Sequence, residues 1–206
     1  MTLHSVGVQR KHRMKELKFS DAGHFNRLIW PDHGHAVGVD SAATSLMTDF
    51  ARSLPMVIGG NIRIADARAE MKHQHTGFKC VVDEHDEFIG VVGLDDLNDQ
   101  EVVKKVASGF ERAELSVADF MCPKRALRAM SYVQIAPMRV YALLWALRGC
   151  DGHHCLVLDD DANAIRGLVA ASDVVQRMGL PLDPWSASFV DIWMCLSQQH
   201  SSHRSA

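Results

Sequence analysis

The sequence predicts a mixed α+β (α/β) chain: two β-α-β-β-α repeats in tandem, with extra helices at the termini. Three observations carry this. A phrase of apolar runs, an acidic turn and a glycine occurs twice with nearly equal spacing. A helical apolar stripe precedes each copy. The composition of the 206 residues, 47% hydrophobic and 23% charged, suits a globular core rather than a disordered or membrane chain.

The first copy runs Val81-Val82-Asp83, Phe88-Ile89-Gly90-Val91-Val92, Asp96-Leu97. The second runs Val157-Leu158-Asp159, Ala164-Ile165, Gly167-Leu168-Val169, Asp173-Val174. The interval from the glycine to the last aspartate is six residues in both, while that from the first aspartate to the glycine is seven and eight. One residue more in a turn accounts for the difference. Residues 79–82 and 155–158 are short aliphatic runs that stop at Asp/Glu/Asn clusters, where turns form. Residues 88–92 and 165–169 then complete two hairpins.

A helix is predicted ahead of each hairpin. Val140, Leu143, Leu144 and Leu147 fall at i, i+3, i+4 and i+7, on one face. Ile64, Ala67 and Met71 make a weaker stripe in the first copy. Gly77 and Gly149 or Gly152 stand where a left-handed C-terminal cap is expected. After the hairpins, Val103, Val106 and Phe110 have helical spacing, as do Val174, Val175 and Met178 before Gly179. Pro55 and Pro137 suit a short first strand just before or around them.

The net charge of −3 does not favour a nucleic-acid backbone, and the basic run Arg10, Lys11, Arg13, Lys15 and Lys18 reads as a solvated arm. The opening residues lack a signal-peptide core, and nowhere do about 18 apolar residues run together. A cytoplasmic protein with no membrane and no nucleic-acid partner is expected. Five cysteines, odd in number and without a CxxC pair, indicate neither a disulfide framework nor a zinc knuckle, and read as small buried hydrophobes.

The ordered set resembles the CBS-domain family. A strand closes on Val-Val-Asp, an acidic turn follows, then Gly-hydrophobic-hydrophobic-(Thr/Ser)-x-x-Asp opens a helix. Ala67, Gly77, Val81-Val82-Asp83 and 90–96 supply it once; Ala142, Gly152, Val157-Leu158-Asp159 and 167–173 supply it again. Leu46-Met47-Thr48-Asp49-Phe50 and Val117-Ala118-Asp119-Phe120-Met121 look like the lead-in to each repeat. The resemblance covers about residues 45–180. It implies a tandem CBS (Bateman) module whose repeats pack as a pseudo-twofold pair with two clefts between them, often a homodimer, and often a receptor for adenosine-containing ligands such as AMP, ATP or S-adenosylmethionine.

Asp96 and Asp173 sit at the family's ribose-binding position, where a carboxylate can accept from vicinal hydroxyls. The alternative for both is helix N-capping. Gly93 and Ala170 stand where the family places Thr or Ser, so each cleft lacks one hydroxyl. By position the resemblance puts Val57 and Ile58, with Thr76, Gly77 and Phe78, along the adenine in the first copy. Val133 and Ile135, with Gly152, His153 and His154, take that place in the second. His153 is a candidate phosphate contact or a loop histidine.

The histidine groups His33-Gly34-His35, His73-Gln74-His75 and His153-His154 lack metal-ligand spacing, and no metal site is expected. The acidic groups 83–87 and 159–161 lack calcium-loop spacing and read as hairpin turns. The predicted organisation is an arm at 1–42, repeats at 43–111 and 112–180, and a C-terminal helix with a disordered tail at 181–206. In that helix Phe189, Ile192, Trp193 and Leu196, with Trp185 ahead of them, must bury an apolar face; a dimer contact is favoured over the chain's own module. The function expected is non-enzymatic: sensing an adenine nucleotide or S-adenosylmethionine and modulating a partner protein. A ligand-free dimerisation scaffold is the alternative, and a metal- or histidine-dependent enzyme is disfavoured because no catalytic motif appears.

Overall fold

The computed structural model describes residues 37–150 and 152–202. The basic run at 10–18, the apolar Phe25, Leu28, Ile29 and Trp30, the pair His33 and His35, and the C-terminal tail beyond 202 lie outside the described residues. The first repeat holds β2 (Val57–Gly59), α1 (Ile64–His73), β3 (Phe78–Val82), β4 (Phe88–Gly93) and α2 (Asp99–Ala107). The second holds β6 (Arg128–Ser131), a short α3 (Tyr132–Ile135), α4 (Val140–Leu147), β7 (His154–Asp159), β8 (Ala164–Ala170) and α5 (Ala171–Met178), followed by α6 (Phe189–Ser202). Two short lead-in strands, β1 (Thr48–Asp49) and β5 (Cys122–Pro123), precede the repeats.

The two sheets have one topology. Their orders are β2-β3-β4-β5 and β6-β7-β8-β1, each with a parallel first pair and antiparallel pairs after it. Each hairpin carries a register shift at the same place, between Val81 and Val82 and between Val157 and Leu158. The extra residue between the first aspartate and the glycine of the second copy therefore sits in its turn, as the spacing predicts.

The lead-in strands are exchanged. β1, which comes before the first repeat, closes the second sheet against β8, and β5 closes the first sheet against β4. Two equivalent glycines permit this. A Cβ on Gly90 would collide with the Cys122 carbonyl and touch Met121 Sδ, and one on Gly167 would collide with the Thr48 carbonyl and Met47 Cε. The methionine of each lead-in phrase is thus packed on the glycine of the other repeat.

Each sheet buries its helices on one side. Ile64, Ala67 and Met71 pack with Ile58, Val81, Val92, Leu97 and Leu115. Val140, Leu143, Leu144 and Leu147 pack with Val157, Val169, Val174 and Val175. A third cluster, Phe78, Val91, Leu156, Leu168 and Ala170, joins residues of both repeats. Full burial of one such side chain is worth roughly 1.5–3 kcal/mol. Lys79, buried on β3, keeps its charge satisfied by Glu70 on α1.

The structure corrects several expectations. The first strand of the second repeat is residues 128–131 and lies ahead of α3, so Val133 and Ile135 are helical rather than strand residues. The sequence Arg-Ala-Met-Ser has no β-branched member, which hid the strand. Val102 is the buried residue of α2, whereas Val103, Val106 and Phe110 face outward. The left-handed residue after α1 is His75 (φ 51°), not Gly77, while Gly179 (φ 62°) caps α5. Cys80 and Cys155 are buried, but Cys122, Cys150 and Cys195 are only partly so. Finally, Phe189, Ile192 and Leu196 bury against the second repeat of their own chain, where α6 crosses α4 and α5; the dimer contact favoured from sequence is not what covers this face.

Candidate ligand clefts

Two clefts open between the repeats, one around each aspartate. The Asp173 cleft has a cavity volume of about 190 Å³ and is lined by Thr48, Phe50, Leu54, Met56, His75, Thr76, Gly77, Phe78, Asp173, Gln176 and Trp185. The Asp96 cleft has a cavity volume of about 390 Å³ and is lined by Asp96, Cys122, Ala126, Leu127, Arg128, Gly149, Cys150, Gly152, His153 and His154. Residues 76–78 of the first repeat therefore share a cleft with the aspartate of the second, and residues 152–154 with the aspartate of the first. Both clefts are therefore lined by both halves of the chain.

The exchanged strands supply one neighbour to each carboxylate. Thr48 pairs with Leu168 in register, and Cys122 pairs with Val91, at equivalent places in the two sheets. Thr48 Oγ1 donates to Asp173 Oδ2 at 3.1 Å, and Arg177 Nη2 donates to the same oxygen at 3.4 Å. Arg177 also donates through Nη1 to the carbonyls of Ser45 and Met47, at 2.8 and 3.2 Å, which fastens the lead-in segment to α5. In the other cleft the Asp96 charge helps burial push the Cys122 thiol up, which keeps it protonated and unreactive.

Asp96 is held by its own turn. Its Oδ2 accepts from the Gly93 N–H at 2.6 Å. Burial raises its pKa, opposed by that hydrogen bond and by nearby His153. Helix α2 begins three residues later and is capped by Asn98, which accepts from the Glu101 N–H. Asp173 is the third residue of α5, behind Ala170. Neither aspartate is therefore the N-cap residue, and the capping alternative does not explain them. Asp173 does lie in the first turn, where a negative charge complements the helix dipole.

The histidines have separate tasks. Burial pushes the His154 pKa down to about 3, with the charge of His153 acting in the same sense, so its ring is neutral. It meets Phe78 edge-on at 5.6 Å between centroids, a contact across the repeats. His153 Nδ1 lies 3.0 Å from the Ala187 carbonyl. A carbonyl can only accept, so Nδ1 carries the hydrogen in that bond. The candidate phosphate contact is thus already bonded to the segment leading into α6.

Of the residues predicted from sequence, Asp96, Asp173, Thr76, Gly77, Phe78, Gly152, His153 and His154 line the clefts. Four do not. Ile58 is buried in the first core and Val57, beside it, is half exposed; Val133 is exposed on α3, and Ile135 is buried in the second core. The strand-proximal lining is Met56 and, in register at the equivalent place, Arg128. Sequence reasoning also missed Thr48, Phe50, Cys122 and Trp185. The lead-in phrases contained Thr48 and Phe50 and stopped one residue short of Cys122, but nothing in the repeat pattern pointed to Trp185. Among the described residues no group of three His, Cys, Asp or Glu side chains converges on a point where a metal could bind. Among the same residues no helix is long and apolar enough to cross a membrane.

The class defined by this fold is a duplicated α+β pair with a cleft between its repeats on each side. Residues 46–100, which hold the first repeat, match the model of the CBS domain, and the second sheet has the same topology. A conserved protein from Pyrococcus horikoshii is 13% identical, with 71% of this chain covering 98% of that one at a TM-score of 0.48. The structure of CBSX2 in complex with AMP is 20% identical, over 66% and 93% of the two chains, at a TM-score of 0.45. The CBS domain of a bacterial CNNM/CorC family Mg2+ transporter in complex with ATP is 19% identical, over 68% and 89%, also at 0.45. No curated protein matches the sequence.

Proposed function

We propose that the chain is a non-enzymatic regulatory module that binds an adenosine-containing ligand between its repeats and thereby shifts a partner protein between states. The observation that carries this reading is the Asp173 cleft. It joins an inward carboxylate with a neighbouring hydroxyl, Thr48, to aromatic and apolar walls. An aromatic base with a vicinal diol needs that combination: stacking surface for the one, charged acceptor for the other. Because β1, residues 76–78 and α5 come from different halves, ligand binding would brace the two repeats together. A ligand moves a conformational equilibrium only as far as it prefers one state, and a cleft built from both halves supplies that preference. A homodimer and a regulated partner belong to this reading.

A second reading, a scaffold with empty clefts, is favoured by Gly93 and Ala170, which present no hydroxyl beside the carboxylates. Thermal unfolding with AMP, ADP, ATP, S-adenosylmethionine and NADH separates the two. A ligand at 100 times its dissociation constant adds about 2.7 kcal/mol, which raises Tm by roughly 5–10 °C for a chain of this size. Sensing predicts such a rise with at least one adenosine compound and its loss in Asp173→Ala or Asp96→Ala. Unchanged melting with all five favours the scaffold.

A further inference from the structure

We propose that Trp185, which lies outside both repeats, is an aromatic binding wall of the Asp173 cleft, and that this cleft recognises the nucleoside part of its ligand rather than the phosphates. The proposal rests on the nucleotide-sensing reading above and names the chemistry of one of its two clefts.

The indole is seated on Gly77. A Cβ at residue 77 would lie 2.5 Å from Trp185 Cζ3 and 3.3 Å from Cε3, so any side chain there would expel the ring. This is what position 77 requires of glycine, since its backbone is not left-handed. Trp185 remains 39% exposed and lines the Asp173 cleft, so it is pressed onto the strand entry and still presents surface to the cavity.

The segment carrying Trp185 is fixed at both ends. Asp183 accepts from the Trp185 N–H at 3.2 Å and from the Ser186 hydroxyl at 3.0 Å, and the Ala187 N–H donates to the Asp183 carbonyl at 3.1 Å. Ala187 in turn accepts from His153, and Phe189 and Ile192 anchor the following helix in the core. A ring held before the ligand arrives costs little entropy to use.

The rest of the lining argues for the nucleoside. Phe50, Met56 and Phe78 add apolar surface, and among the described lining residues there is no Lys or Arg, His75 being the one basic side chain. The guanidinium beside Asp173, that of Arg177, is committed to Ser45, Met47 and Asp173. A polyphosphate would meet the Asp173 carboxylate with its paired cation, Arg177, already engaged there and on two carbonyls. The Asp96 cleft differs in having Arg128 in its lining.

Calorimetric titration of the full chain with adenosine, AMP and ATP tests this, with Asp173→Asn assigning the cleft. Base–aromatic stacking lost to alanine weakens binding about 5- to 150-fold. The expected result is that adenosine binds in an Asp173-dependent manner at least as tightly as ATP. Trp185→Ala should weaken it by about tenfold or more, and Trp185→Phe should restore it to within about threefold. Adenosine should also quench tryptophan fluorescence in the wild type and not in Trp185→Phe, a signal that a purely structural tryptophan would not give. If Trp185→Ala does not fold, the phenylalanine variant and its fluorescence decide. Asp173-dependent binding unchanged in the Trp185 variants, or ATP preferred there over adenosine, overturns the inference alone. Failure of every probe to bind the wild type overturns the nucleotide-sensing reading as well.

Discussion

The Asp173 and Asp96 clefts stand in equivalent places, yet their chemistry has diverged. Both have an aspartate after the hairpin, an exchanged lead-in strand beside it, and a glycine on which the lead-in methionine rests. The rims differ at equivalent points: Thr48 against Cys122, Met56 against Arg128, Phe78 against His154. One aspartate is bound by a threonine and an arginine, the other by a backbone amide of its own turn. The frame that holds a cleft open and the side chains that decide its occupant are therefore separable, and each can be broken without the other.

The largest effects should come from the frame. Gly167→Val forces a side chain into the β1 carbonyl, and such overpacking costs about 3 kcal/mol or more where backbone must move. Urea unfolding should show that loss, and ligand binding at the Asp173 cleft should go with it. Gly90→Val should cost a similar amount by displacing β5, but should damage the Asp96 cleft instead. Equal damage to both clefts from either change would mean that the exchanged strands do not divide them as described.

Acid should distinguish the clefts next. His154 lines the Asp96 cleft and is not among the residues lining the Asp173 cleft, and its folded pKa of about 3 lies below an unfolded value of about 6.5. Between those values the unfolded chain binds the additional proton, so stability rises with pH through the window and is lost as pH falls from about 6.5 toward 3. Lowering the pH from 7 to 5 should remove about 2 kcal/mol. Denaturant midpoints at the two pH values measure this, and His154→Leu should flatten the contribution. An unchanged slope in that variant would place the titration elsewhere.

Exchange of rim residues sharpens the comparison at lower cost. Asp173→Asn removes one charged acceptor, and a hydrogen bond to a charged group is worth about 1.5–3 kcal/mol, so an adenosine-type ligand should weaken about 10- to 100-fold in calorimetry. The smallest change is Cys122→Thr, which gives the Asp96 cleft the hydroxyl its counterpart has. Its stability effect should stay within about 0.5 kcal/mol, because Cys122 is only partly buried. Chemical denaturation checks this, and a loss of several kcal/mol would show that the two lead-in strands are not interchangeable.

Much of the fold was legible because the repeat pattern records burial. Val140, Leu143, Leu144 and Leu147 form a buried face as their spacing predicts, and the hairpins fall at the duplicated glycines. Less of the site was. The pattern located Asp96 and Asp173 but not which other residues meet them, since pairing across the repeats depends on strand exchange rather than on local sequence. Residues 128–131 lacked a strand's composition, so Val133 and Ile135 took their place in the reading. Val103, Val106 and Phe110 have helical spacing but face outward, because periodicity identifies a stripe and not what covers it. Trp185 lies beyond the second repeat, where no duplicated partner could mark it.

The crossed construction of the clefts is tested most directly by hydrogen exchange of the full chain with and without a saturating adenosine ligand. Binding in the Asp173 cleft should slow exchange together at the Phe50 amide, which bonds to Arg166 of the second repeat, and at the Leu94 amide, which bonds to Gly77 in the first. Protection at one of these amides, with the other unchanged, would contradict the account.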